Sequence, residues 1–148
     1  MSDNESKWNI KNYDIDNKKS VCYLMNGTKL NINKSDIDTN IQFLFAINNS
    51  SISIENSSIK SSTNFPLMDL RYFSKLYMIN TTADSSHIFQ LKDMSDLNVS
   101  KSGFNIKNLF SYSLDDVKIL ISDSIIKTKE NFKTAIKLLY NSKLNINN

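Results

Sequence analysis

One cysteine, one proline, one histidine and two glycines are all that these 148 residues hold of the types that most often organise a small protein. Each shortage excludes something. With Cys22 alone there is no internal disulfide and no cysteine-based metal site, and its apolar neighbours, Val21 and Tyr23 to Met25, make it a buried, inert thiol. With His87 alone there is no histidine cluster for a metal, and no acidic partner is placed beside it to build a nucleophile and base. Gly27 and Gly103 stand far apart, so a glycine-rich phosphate cradle is missing. Arg71 is the one arginine, which leaves few side chains able to read guanine or phosphate bidentately.

Long apolar runs are missing too, and no stretch approaches the roughly eighteen apolar residues of a membrane span. The first residues, Met1 to Lys7, are polar and acidic instead of forming a signal-peptide core, so the expected compartment is cytoplasmic or nuclear. The Asn-x-Ser/Thr triplets at Asn26, Asn33, Asn56, Asn80 and Asn98 are then expected to stay unmodified. Asp14/Asp16 and Asp36/Asp38 fit no calcium-loop pattern and read as caps or solvated carboxylates.

What is present is a globular balance: 40% hydrophobic and 22% charged residues, with a net charge of +3 spread over scattered lysines. The abundance of Asn, Ser, Lys and Ile reads as codon bias of an AT-rich genome. Short echoes of Asn-Ile-Lys-Asn type at Asn9, Asn31 and Asn105 are unevenly spaced and do not define a repeat. The length suits one domain over 19–148, preceded by a flexible arm over 1–18 in which Trp8 and Tyr13 are either loose or packed into a groove.

The pattern predicts an α+β fold, a small mixed sheet with an N-terminal β-hairpin and a C-terminal pair of packed helices. Val21–Ile32 has the form of a hairpin around Asn26-Gly27, where glycine supplies a positive φ. Ile41–Ile47 suits a helix capped at Ser35 or Asp36, or equally a strand. Ile52 and Ile54 alternate with serine as in a short edge strand or an ordered loop, and Phe65-Pro66-Leu67 is extended. Leu70, Phe73, Leu76 and Tyr77 predict a helix to Ile79. Ser113 with Asp116 resembles a capping box, from which Val117, Leu120, Ile121 and Ile125 follow at helical spacing. Thr128 starts a second helix through Phe132, Ala135, Ile136, Leu139 and Tyr140.

This order of elements resembles the BTB fold family in its cullin-adaptor, elongin C-like form. The resemblance is carried by Val21–Ile32 as the opening hairpin, by Asn64–Leu76 as the strand-to-helix segment, and by Ile119–Phe132 as helix, corner and second helix. It implies an adaptor bridging a scaffold and a receptor, with Ile125 and Ile126 toward the scaffold and Phe132, Ile136 and Leu139 toward a receptor helix. Tyr140 joins them as the aromatic end of the last helix. The expected function is a non-catalytic protein-protein interaction subunit with no cofactor and no metal. The alternative is an accessory subunit of a nucleic-acid machine, with nucleic acid contacted only indirectly and no membrane involved.

Overall fold

A computed structural model describes residues 6–10, 20–128 and 135–147, and among them every regular element is a β-strand. The chain winds as a parallel β-solenoid of six coils, each laying one strand on each of three faces. The first coil holds β1 (Ser6–Ile10), β2 (Cys22–Leu24) and β3 (Lys29–Asn33). The second holds β4 (Ser35–Thr39), β5 (Leu44–Ala46) and β6 (Ser51–Glu55), and the third β7 (Ser58–Ser61), β8 (Pro66–Leu70) and β9 (Lys75–Ile79). In the fourth and fifth coils one long strand covers two faces: β10 (Thr82–Lys92) is followed by β11 (Asp96–Ser100), and β12 (Gly103–Leu114) by β13 (Lys118–Ser122). The last holds β14 (Ile125–Thr128), β15 (Ile136–Leu138) and β16 (Lys143–Asn147). Faces one and two join through β10 and β12 into a ten-stranded sheet, and face three is a separate six-stranded sheet, β16-β13-β11-β9-β6-β3. All pairings are parallel.

Stacked positions are 29 residues apart between β1 and β4 and 21 to 25 apart in the rest of the solenoid. Two corner types set this spacing. Between faces two and three, two consecutive residues take left-handed φ: Asn26-Gly27, Asn48-Asn49, Tyr72-Phe73, Asp93-Met94, Asp115-Asp116 and Tyr140-Asn141. The N–H of the second residue donates to the carbonyl of the first in the next coil, as from Gly27 to Asn48 at 2.8 Å and from Phe73 to Asp93 at 3.0 Å. Between faces three and one a single left-handed residue turns the chain, at Lys34, Asn56, Asn80, Lys101 and Asp123. Asn and Asp tolerate this region because their short polar side chains bond locally, which is why they recur there.

A hydroxyl follows each single-residue corner. Ser35, Ser57, Thr81, Ser102 and Ser124 each donate to the carbonyl two residues back. Ser57, Ser102 and Ser124 also accept the N–H of the preceding coil's equivalent, from Ser35, Thr81 and Ser102 at 3.0 to 3.2 Å. Buried backbone polar groups at the corner are thereby satisfied. Outside it, Asn80 donates to Asn56 at 2.9 Å and Asn56 to Asn33 at 3.0 Å, an amide ladder of the kind that stabilises stacked parallel strands.

Inward residues stack like on like. Ile52, Leu76, Leu97 and Ile119 form one buried column on face three, and Ile32, Ile54, Met78, Val99 and Ile121 a second. The centre is filled by Phe89, Phe104 and Phe110, edge to face at centroid distances of 5.0 to 5.8 Å. Such geometry adds about 0.5–1.5 kcal/mol per pair to the burial itself.

This architecture overturns the α+β expectation and the BTB-like, elongin C-like resemblance with it: the fold is all-β and no helix occurs among the described residues. The Val21–Ile32 segment is no hairpin. Its strands β2 and β3 do flank a turn at Asn26-Gly27, and Gly27 has φ +76°, yet they lie on different faces and pair with β5 and β6. The segment expected as a helix over 70–79 is the end of β8, the Tyr72-Phe73 corner and β9. The apparent capping box is the end of β12 followed by the Asp115-Asp116 corner, and on β13 Ile119 and Ile121 point inward while Leu120 is 38% exposed. Of the second expected helix, 129–134 lie outside the described residues, and 136–138 form β15. Of the open alternatives, Leu44–Ala46 is a strand, and β6 is central, between β3 and β9. The chain does contain a structural repeat, which the Asn-Ile echoes do not mark.

Candidate aromatic and arginine surface

On face two, the outward residue at the middle of each strand forms one column across the six coils: Tyr23, Phe45, Asp69, Gln90, Tyr112 and Lys137. Parallel strands stack about 4.8 Å apart, so neighbouring side chains in such a column touch. Tyr23 and Phe45 stack with centroids 5.1 Å apart, and the Arg71 guanidinium lies 5.2 Å above the Phe45 ring. Arg71 in turn grips Asp69 with two donors, Nε to Oδ1 at 3.0 Å and Nη2 to Oδ2 at 2.7 Å. Gln90 donates to the same Asp69 Oδ2 at 3.1 Å, leaving that carboxylate 4% exposed. The hydrogen bond and charge of Asp69 raise the Arg71 pKa above its ordinary value, against the opposing effect of burial. Fork-to-fork contact fixes the guanidinium in orientation, and ring stacking fixes it in height.

The chain leaves Arg71 directly into the Tyr72-Phe73 corner. There both aromatic residues hold left-handed φ, 52° and 63°, and both are about half exposed, at 50% and 51%. Met94 occupies the next corner with φ 61° and 49% exposure. Equivalent positions in the first, second and fifth corners are Asn, Gly or Asp. A bulky residue in this region is an outlier costing on the order of 1–3 kcal/mol. Here only about half of each residue is buried against that cost.

Of the residues expected to bind partners, the five that are described fall on the last coil, but not on a helix. Ile125 is 61% exposed on the outside of β14, whereas Ile126 turns inward and is half-buried against the core. Ile136 is half-buried on β15, Leu139 follows it half-buried, and Tyr140 is 71% exposed in the final corner. Phe132 and Tyr13 lie outside the described residues, and of Trp8 the structure gives only its place in β1, in register with Ile37. Sequence reasoning passed over Tyr23, Phe45 and Arg71 as a group, because they stand on three different coils and only the repeat brings them together. A signal did exist in the Asn26-Gly27 and Asn48-Asn49 dipeptides, spaced one coil apart and followed at the next step by Tyr72-Phe73.

Elsewhere the described surface offers little chemistry. No group of three or more His, Cys, Asp or Glu among the described residues is placed to hold a metal ion. His87 is half-buried with Nε2 2.9 Å from the Phe89 carbonyl, and burial pushes its pKa down. Cys22 is half-buried with its pKa pushed up by burial, which keeps it a thiol. An open depression on face three is lined by Asp96, Asn98, Lys118, Leu120, Lys143 and Asn145. Among the described residues no helix is long and apolar enough to cross a membrane. Comparison with protein-family models, with curated proteins and with solved structures finds no match to this chain.

Proposed function

We propose that this chain is a non-catalytic binding protein whose solenoid holds Tyr23, Phe45, Arg71, Tyr72 and Phe73 rigidly for a protein partner. Tyr, Phe, Arg and Met are the types enriched at the energetic centres of protein interfaces, and they gather here at one edge of face two. Arg71 is already oriented by Asp69 and Phe45, so little side-chain freedom is lost on binding. The observation that carries the reading is the Tyr72-Phe73 corner, where both left-handed positions hold half-exposed aromatic residues, whereas the other two-residue corners have Asn, Asp or Gly in at least one of the two places. Strain retained with only partial burial supports a role for these side chains outside the fold.

The test gives this corner the residues of the first one, Tyr72→Asn with Phe73→Gly. The variant is expected to fold with stability raised by about 1 kcal/mol, since backbone strain is relieved. In affinity capture from native cells at low and high salt, it should lose a protein that the parent chain retains at both. Equal recovery by both chains would overturn the reading. So would recovery of nucleic acid alone, lost at high salt, since phosphate contacts weaken steeply with ionic strength.

A further inference from the structure

The two outermost strands of face three have the same sequence. β3 reads Lys29-Leu30-Asn31-Ile32-Asn33, and β16 reads Lys143-Leu144-Asn145-Ile146-Asn147. They lie at opposite ends of the sheet, and each is paired on one side only among the described residues. The four strands between them carry four different sequences, so identity is confined to the ends.

Their free backbone groups are complementary. Lys143 N–H donates to Val117 O at 2.8 Å and Asn147 O accepts from Asp123 N–H at 3.1 Å, so the odd-numbered residues of β16 turn their amides toward β13. Strand alternation then aims the N–H and C=O of Leu144 and Ile146 away from the molecule. At the other end Ser51 N–H donates to Thr28 O at 2.9 Å and Lys34 N–H to Glu55 O at 3.1 Å, which turns Lys29, Asn31 and Asn33 outward. A parallel ladder joins alternate residues of one strand to the intervening residues of the other, and these two edges meet that parity when Leu144 lies against Leu30.

We propose that copies of this chain stack end to end, the β16 edge of one receiving the β3 edge of the next in continued parallel register. Ile146, 55% exposed at the end of a column in which Ile121 is 2% exposed, is then covered by Ile32 of the next copy. Asn33, which accepts from Asn56 within its own copy, donates to Asn147 of the neighbour and extends the amide ladder. On face two Lys137, now 5.4 Å above the Tyr112 ring, gains Tyr23 of the next copy as its other column neighbour. Lys143 meets Lys29, a like-charge contact of the kind already present between Lys118 and Lys143, all of them exposed and screened by salt. Because the two edges differ in position, the contact is head to tail and does not close; it yields open chains, not only dimers.

Proline on an edge strand is tolerated where its missing N–H faces outward, so Ile146→Pro blocks one end and Asn31→Pro the other. By sedimentation velocity over a hundredfold concentration range, the parent chain is expected to form a ladder of species extending beyond the dimer. Each variant alone should remain monomeric. An equimolar mixture should form a one-to-one dimer and nothing larger, through the free β3 edge of Ile146→Pro and the free β16 edge of Asn31→Pro, which also proves both variants folded. A parent chain that stays monomeric throughout overturns the proposal, and so does self-association surviving in either single variant. A mixture that stays monomeric while both variants keep the parent's circular dichroism overturns it as well.

Discussion

Individual hydroxyls decide more of this fold than their number suggests, because buried serines after the two kinds of corner have opposite effects. Ser102 accepts the buried Thr81 N–H at 3.2 Å and donates to Ser100 O at 2.8 Å, so truncating it strands a buried amide. Ser74 and Ser95 occupy the column after the two-residue corner, fully buried with no partner for Oγ, and the next coil has Val117 there. We therefore expect Ser102→Ala to lower stability by about 1–3 kcal/mol, and Ser95→Ala to leave it unchanged or raise it, since it removes an unsatisfied group. Chemical denaturation of the two variants checks the contrast. A similar discrimination applies to asparagine. Read along the chain, Asn and Ser are a compositional bias; in the structure, Asn26, Asn48, Asn49, Asn56 and Asn80 hold left-handed corners. Composition cannot tell the two apart, because the meaning of each residue lies in what stands one coil away.

At the level of elements, β10 shows how a strand turns a corner without breaking. Its pairing with β12 slips between Ser85 and His87, and after that irregularity it changes neighbour from β7 on face one to β8 on face two. His87 sits at this bend with Nε2 against the Phe89 carbonyl, its pKa lowered chiefly by burial, with that hydrogen bond and Asp69 pulling the other way. The lowered value means that the unfolded chain takes up the proton first. The stability His87 contributes is thus present above the ordinary histidine pKa of about 6.5 and is lost as pH falls through the lower folded value. Thermal melts of the parent chain and of His87→Gln should differ in their pH slope below about 6.5 and run parallel above it. Parallel melts throughout would show that the bend does not sense the proton. The same element explains why its neighbours read as helices. Leu70, Phe73 and Leu76 fall three apart across a corner that reverses the inside of the chain, so two short strands imitate one helical stripe.

For the molecule as a whole, stability is shared between neighbours in a stack, so the central coils are held from both sides and the end coils from one. Native-state hydrogen exchange, at a concentration low enough to prevent association, is expected to protect the amides of Ile54, Met78 and Val99 longest and those of β2, β15 and β16 least. Uniform protection would mean that the six coils open together. Several things were determined by the sequence on its own: the absence of a disulfide framework, the positive φ at Gly27, the extended chain at Pro66, and the apolar residues available for a core. These depend on a residue and its immediate neighbours. Which way Ile119 or Leu120 points, that Val21–Ile32 is a corner and not a hairpin, and that Tyr23, Phe45 and Arg71 meet at one surface were decided only by the tertiary structure. The physical reason is that a parallel strand has no partner within its own segment. Its pairing is satisfied 21 to 29 residues away, beyond the reach of any local period.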